Sequence, residues 1–188
     1  GVTVFFLARV QASLYFMNNI ADETIFNRAR RQVLINAVPF VVLFLIFVGA
    51  TLTADGYELN PVNGEVFVRK YKYFFNLIEM PWVAVMFLIG VVSVLYAIIR
   101  AAFSKTWICG IWYSGIGTVL VVLSLFFLAG YNNTPYYPSA VDLQSSLTIY
   151  NSSSSLFTLE VMTVVSFLVP FVLAYIVYAW RAMDKKPI

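Results

Sequence analysis

A few polar or ionisable side chains lie inside long apolar runs, and these are the residues that could do chemistry. Arg9 lies roughly midway along the first run, where a lone charge is costly, so it must face protein or water. It could pair with a carboxylate or a cofactor propionate on a partner, or flank a proton route. Alternatively, its side chain snorkels to a membrane surface. Gln11 lies about 200° around a helix from Arg9, so the two do not form one site.

Two carboxylates come just before apolar runs, Glu79 before Pro81 and Glu160 before the last run. A carboxylate in this position is stabilised by the dipole at a helix N-terminus, so we interpret both first as helix-end residues. For Glu160 a role in a proton relay is the alternative. Cys109 is most simply a small apolar filler. We therefore predict no catalytic, cofactor-binding or metal-binding residue in this chain.

The composition excludes several chemistries. The sequence contains no histidine, so no imidazole can ligate haem, zinc or copper or act as a general base. One cysteine rules out intrachain disulfides, CxxC redox pairs and thiolate iron–sulfur sites. The five methionines are weak haem ligands by themselves. We expect the chain to bind no haem through its own side chains.

The elements that position these residues are membrane helices. Of the 188 residues, 61% are apolar and 11% are charged, against roughly 25% charged in soluble domains, and the mean hydropathy is +0.84. So few charges could not cover the surface of a soluble fold, and the composition indicates an integral membrane protein. The net charge of +3 comes from basic residues beside apolar runs. Their position favours a role in orienting the chain in the membrane over a role in binding nucleic acid.

The apolar runs predict an all-α, polytopic fold with about five transmembrane helices, the last four forming a four-helix bundle. Each run is long enough to cross a bilayer, and none alternates as the strands of a membrane barrel do. Gly110, Ser114 and Thr118 lie four apart, which favours close helix packing. We expect residues 1–188 to form a single membrane domain. Its spans are predicted at about residues 1–20, 33–54, 81–103, 107–131 and 160–181.

The basic residues of the links predict the orientation. If links alternate sides, eight basic residues lie on one side and three (Arg69, Lys70 and Lys72) on the other. The larger set places the C-terminus in the cytoplasm and residues 55–80 and 132–160 outside. Residues 66–80 mix basic and aromatic side chains, as an interfacial segment does. The eight are Arg28, Arg30, Arg31, Arg100, Lys105, Arg181, Lys185 and Lys186.

Three stretches resemble subunit II of cytochrome bd-type quinol oxidases. The first is the polar stretch before the last run, with Pro138-Ser139, Ser145-Ser146-Leu147-Thr148 and Ser152-Ser153-Ser154-Ser155. The second runs from Ile20-Ala21-Asp22-Glu23 through Arg28-Ala29-Arg30-Arg31. The third combines Asn60-Pro61 with Tyr71-Lys72-Tyr73-Phe74-Phe75-Asn76-Leu77. Such a polar stretch between two membrane helices is unusual, so the first match is specific.

The resemblance implies an accessory subunit of a bacterial respiratory complex in the inner membrane. In such oxidases, subunit I carries haem b, haem d and the quinol site, and the complex oxidises quinol and reduces oxygen to water. Subunit II packs against subunit I and lipid, and in some members it holds a quinone, here at an unknown position. The family has eight spans, so the chain is similar to its fourth span plus the C-terminal four. We expect a fragment without the first three spans.

The competing function is a subunit of a small-solute or ion transporter with no redox role. Transporters tend to have discontinuous helices and polar clusters at mid-membrane depth. Here only Arg9, Gln11, Asn36, Pro39 and Pro170 could serve such a site, and the run at residues 107–131 is continuous. A purely structural scaffold is a third interpretation, and it merges with the accessory subunit if this part has no proton route.

Overall fold

The computed structural model describes residues 1–104 and 106–183 of the chain. The described residues are mainly helical, as predicted. They form six helices: α1 (Val2–Asn19), α2 (Glu23–Thr53), α3 (Lys72–Glu79), α4 (Pro81–Phe103), α5 (Gly110–Gly130) and α6 (Leu156–Met183).

Four of the described helices, α2, α4, α5 and α6, are long and apolar enough to cross a membrane. This finding confirms the prediction of a polytopic helical protein. α1 covers most of the first predicted run but is not one of the four, since Arg9, Gln11 and two terminal asparagines lower its hydropathy. The positions of Lys105, Lys185 and Lys186 lie outside the described residues.

The chain divides into two units, Gly1–Ile149 and Tyr150–Ile188. Helices α1 to α5 belong to the first unit, and α6 is the helix of the second. α6 is continuous from Leu156 to Met183 with Pro170 inside it. The single membrane domain and the four-helix bundle of the last four helices stay predictions.

α2 begins well before the apolar run predicted at residues 33–54, so the first link is largely helical. Asp22 caps the helix, because its carboxylate accepts a hydrogen bond of 2.9 Å from the backbone N–H of Ile25. Glu23 in the first turn adds a favourable interaction with the helix dipole. The basic residues 28, 30 and 31 therefore lie on the first turns of α2 and not in a loop.

α4 and α5 approach each other closely at two glycines. A Cβ atom on Gly117 would lie 2.7 Å from the carbonyl oxygen of Gly90, and a Cβ atom on Gly90 would lie 2.8 Å from that of Gly117. Each helix therefore needs a residue without a side chain at this point. The spacing analysis drew attention to another face of α5, at Gly110, Ser114 and Thr118.

That second face of α5 packs against α1. Gln11 of α1 donates a hydrogen bond of 2.8 Å from Nε2 to Oγ1 of Thr118, and a Cβ atom on Gly110 would lie 2.7 Å from Leu14 Cδ2. Ser114 is fully buried. The small residues of α5 thus serve close helix packing on two faces, as the packing interpretation predicts.

Two side-chain contacts place the α1–α2 link and the α4–α5 link at the same end of the first unit. Arg30 donates from Nε to the carbonyl oxygen of Ala102, near the end of α4, at 2.9 Å. Asn18, near the end of α1, donates to the carbonyl oxygen of Ile108 at 3.0 Å. A guanidinium at a helix C-terminus also satisfies a carbonyl that has no partner within the helix.

Residues 55–80, at the opposite end, contain a β-hairpin that the sequence analysis missed. Strands β1 (Gly56–Leu59) and β2 (Val66–Arg69) pair antiparallel, with Gly56 opposite Arg69. The turn is built by Asn60, which accepts a hydrogen bond from Val62 N at 3.0 Å, and by Gly64, whose φ is +73°. Asn60-Pro61 and Asn63-Gly64 are typical turn pairs, but the strands beside them are too short for a clear periodic pattern.

We predict that Gly117→Ala weakens the fold and that Gly115→Ala, on the same helix, does not. The added methyl group at residue 117 collides with the backbone of α4, and overpacking of this kind costs about 1–3 kcal/mol. At residue 115 nothing lies within 4 Å of a new Cβ atom. Thermal unfolding midpoints of the purified variants measure the difference. Equal midpoints would contradict the close approach of α4 and α5.

Candidate functional site

The short helix α3 carries polar side chains on its inner face. Lys72 and Asn76 lie one helical turn apart, so they share a face, and both are fully buried. Buried Lys and Asn are uncommon and require partners for every charge and hydrogen-bonding group. Their partners come from the hairpin and from the end of α5. The set, which we call the hairpin network, consists of Glu58, Arg69, Lys72, Asn76, Glu79, Asn132 and Thr134.

Lys72 is at the centre of the hairpin network. Its Nζ atom lies 3.1 Å from Oε1 of Glu58 on β1 and donates a hydrogen bond of 3.0 Å to the carbonyl oxygen of Asn132. Burial lowers the pKa of Lys72, and the carboxylate of Glu58 opposes this shift. The pairing therefore compensates an ammonium group that has lost its water.

Asn76 joins α3 to the end of α5. Its Nδ2 atom donates to the carbonyl oxygen of Leu128 at 3.0 Å and to Oγ1 of Thr134 at 2.8 Å, and its Oδ1 atom accepts from Asn132 at 3.1 Å. Leu128 lies in the last turn of α5, where carbonyl groups lack partners within the helix. Asn132 and Asn133 have φ values of 55° and 54°, a left-handed conformation that asparagine tolerates well. These contacts end α5 and hold the following turn against α3.

Arg69 and Glu79 complete the network. Arg69 lies 3.0 Å from Glu58 and 3.2 Å from Glu79, and its guanidinium is 4.7 Å from the centroid of the Phe75 ring. A hydrogen bond from Asn132 and the charge of Arg69 lower the pKa of Glu79. The hydrogen bond to Glu58 raises the pKa of Arg69. Each charged side chain in this network is therefore paired with an opposite charge.

The side chains of the hairpin network hold elements of the protein in position. Their ammonium, guanidinium and amide donors are directed to partners within the protein. Among residues 1–104 and 106–183, no group of three or more His, Cys, Asp and Glu residues could hold a metal ion. The network therefore holds β1, β2, α3 and the end of α5 together.

The sequence-predicted residues lie apart from each other. Arg9 is exposed on α1, with its guanidinium 5.7 Å from the Phe5 ring centroid, whereas Gln11 faces α5, so the two do not form one site, as predicted. Cys109 and Glu160 are exposed. Glu79 does not start a membrane helix, because it is the last residue of α3 and pairs with Arg69. It nevertheless lies just ahead of Met80 and Pro81, where α4 begins, so its interpretation as a residue stabilised by the end of a helix stays a prediction.

Sequence reasoning missed Glu58, Lys72, Asn76 and Asn132 as a group. One signal was present: Lys72 and Asn76 are spaced by one turn in a segment whose other positions are largely aromatic or aliphatic. That pattern predicts a helix with one polar face, but it does not reveal that the polar face points inward.

An apolar cavity of about 270 Å³, open on one side, lies between α1, α2, α4 and α5. Valine, leucine and phenylalanine side chains form most of its wall, and Thr3 and Thr118 add hydroxyl groups. The Thr118 hydroxyl is already engaged with Gln11 and with the carbonyl oxygen of Ser114. This cavity therefore offers mainly dispersion contacts.

We predict that Glu58→Leu destabilises the protein more than Lys72→Met does. Without Glu58 the Lys72 ammonium stays buried beside a carbonyl oxygen alone, and an unpaired buried charge costs about 3–5 kcal/mol. In Lys72→Met, Glu58 keeps its contact with Arg69, and the methionine fills similar volume. Denaturant unfolding of both variants and of the double variant measures the coupling. Additive losses would contradict the pairing, since we expect the double variant to be more stable than Glu58→Leu.

The comparisons with known proteins agree with this architecture. A family model described as "Cytochrome bd terminal oxidase subunit II" matches residues 1–183. A protein of Haemophilus influenzae named "Probable cytochrome oxidase subunit 2" is 28% identical over an alignment of 175 residues that covers 86% of this chain. The chain spans 44% of the length of that relative. Because the family match extends over nearly the whole sequence, the chain belongs to the cytochrome bd terminal oxidase subunit II family.

Proposed function

We propose that the chain is an accessory membrane subunit of a bd-type quinol oxidase in the bacterial inner membrane. It supports the haem-bearing subunit I, on which quinol is oxidised and oxygen is reduced to water. The observation that carries this proposal is the family match over residues 1–183. The chain thereby works within an oxidoreductase complex and supplies no catalytic residue of its own.

The donor chemistry of the chain does not fit haem ligation. Haem iron takes axial ligands from His, Cys, Met or Tyr, and the sequence has no histidine. Cys109 is exposed beside the start of α5. Met17 and Met80 are buried in helix packing, whereas Met162 and Met183 are exposed. Haem b and haem d therefore belong, in this proposal, to the partner subunit.

The helices of the first unit leave much apolar surface for a partner and for lipid. In each of α2, α4 and α5, less than a third of the most apolar stretch of 18 residues is buried within the protein. A quinone held by this chain would find an apolar environment in the cavity between α1, α2, α4 and α5. The threonine hydroxyls there are few, which suits an isoprenoid tail better than a quinone head group.

Arg9 supports a protein partner within the membrane. It lies about 15 Å along α1 from the end at Asn19, at the usual rise of about 1.5 Å per residue, which is half the thickness of a bilayer core. None of the ion pairs among residues 1–104 and 106–183 includes Arg9. In the proposed complex an acceptor on a neighbouring subunit compensates its charge.

The basic residues at the two ends of the first unit support one orientation in the membrane. The end with the α1–α2 link carries Arg28, Arg30, Arg31 and Arg100, as the contacts of Arg30 and Asn18 imply. At the other end Arg69 and Lys72 are paired with glutamates. We propose that the arginine-rich end faces the cytoplasm. With alternating spans the C-terminus is also cytoplasmic.

The proposed function predicts a coloured complex. Purification through a tag on this chain should recover a larger subunit with haem b and haem d bands in the visible spectrum. No single substitution in this chain should abolish a haem band while the subunits stay assembled. A colourless preparation would instead favour a transporter. Arg9→Leu should lower the recovered haem protein, and Arg9→Lys should lower it less, because Lys keeps the charge without the planar fork.

The proposed orientation predicts a labelling pattern in intact cells. In a Cys109→Ser background, Ser153→Cys should react with a membrane-impermeant thiol reagent, and Thr24→Cys at the start of α2 should react only after the cells are opened. Both positions are exposed in the structure. A difference in their labelling therefore reports the side of the membrane on which each cysteine lies. The reverse pattern would overturn the orientation.

A further inference from the structure

We propose that α3 is a membrane-surface helix whose exposed aromatic face is buried in the head-group region of the lipid bilayer. This inference concerns the lipid contacts of the chain and goes beyond its membership of an oxidase complex. The proposal rests on α3 having its polar side chains inside the protein and its aromatic side chains outside, directly before the helix α4, which can cross a membrane.

The inversion is visible in the burial of α3. Lys72 and Asn76 point inward and are fully buried, whereas Phe74, Phe75 and Ile78 are 44%, 39% and 60% exposed. A helix on a water-facing surface has the opposite arrangement, with apolar residues inside. Since Lys72 and Asn76 make their contacts within the protein, the outward surface of α3 is mainly apolar, with the exposed Glu79, paired with Arg69, at its end. That surface requires an apolar neighbour.

The connection to α4 identifies the neighbour. α3 ends at Glu79 and α4, which can cross a membrane, begins at Pro81, with only Met80 between them. Consecutive Cα atoms are about 3.8 Å apart, so the end of α3 lies close to the level where α4 leaves the bilayer. Trp82 in the first turn of α4 packs edge-on to Phe127 of α5 with ring centroids 4.9 Å apart. Tryptophan at a helix end marks this same level.

The first turns of α4, which follow α3 directly in the chain, also expose apolar side chains. Trp82 and Val85, in the first turns of α4, are themselves exposed. Lipid is the medium that meets the surface of a membrane-spanning helix, and α3 extends that surface sideways at the interface. An amphipathic helix bound in this way inserts its apolar face about 5–10 Å into the boundary between head groups and acyl chains.

The charges around α3 indicate which lipids it needs. From Gly56 to Glu79 the chain has three acidic residues (Glu58, Glu65 and Glu79) and three basic residues (Arg69, Lys70 and Lys72). This balance gives no net attraction to anionic head groups. Attachment therefore depends on burial of Phe74, Phe75 and Ile78, and we expect it in purely zwitterionic lipid.

The test places a nitroxide spin label on a single cysteine in the purified complex, reconstituted in phosphatidylcholine nanodiscs. The label is attached at Ile78→Cys in a Cys109→Ser background. Val62→Cys in the hairpin turn, where the native side chain is 92% exposed, is the water-facing control. Val122→Cys on α5, 42% exposed, is the mid-span control. Power saturation compares collisions with oxygen, which concentrates in lipid, and with a water-soluble nickel chelate.

We expect the label at residue 78 to collide with oxygen more than with the nickel chelate. Its depth in the bilayer should lie between the depths of the two control labels. Adding anionic lipid should leave that depth unchanged. Collision with the nickel chelate equal to that at residue 62 would place α3 in water and overturn the proposal. Protection from both reagents would place it under another protein and also overturn it. If Ile78→Cys does not assemble, Phe74→Cys reports on the same face.

Discussion

The fully buried ammonium of Lys72 is the constraint on which the organisation of the hairpin end depends. Its charge must be compensated where water cannot reach, so Glu58 on β1 and the carbonyl oxygen of Asn132 have to meet it from different elements. The close approach also explains Gly56 at the start of β1, where a Cβ atom would lie 2.8 Å from that of Lys72. A hairpin, a short helix and the end of a membrane helix are thereby fixed to each other.

The same constraint determines what the protein presents to its surroundings. Because α3 uses Lys72 and Asn76 internally, its aromatic residues face outward beside the start of α4. An apolar exterior is what a membrane subunit beside a haem-bearing partner needs in the proposed complex. The reaction itself belongs to that partner in the proposed complex.

The helices could be predicted from the sequence because long apolar runs depend only on local composition. The boundaries were less accurate, since the start of α2 depends on the capping of Ile25 N by Asp22, and the sequence analysis did not recognise that cap. The hairpin network could not be predicted, because its pairs join residues as far apart as Asn76 and Thr134. The close contact of Gly90 with Gly117 is likewise a tertiary property. The family assignment rested on motif resemblance, which the family match then bore out.

The most direct test of the central constraint compares two lysines that are two residues apart. Lys70 is exposed and Lys72 is fully buried and paired, so a small amine-acetylating reagent should distinguish them in the native complex. Mass spectrometry of the digested protein measures the rate at each residue. We expect rapid acetylation of Lys70 and protection of Lys72 until the protein is unfolded. Acetylation of Lys72 at the rate of Lys70 under native conditions would contradict the buried ion pair.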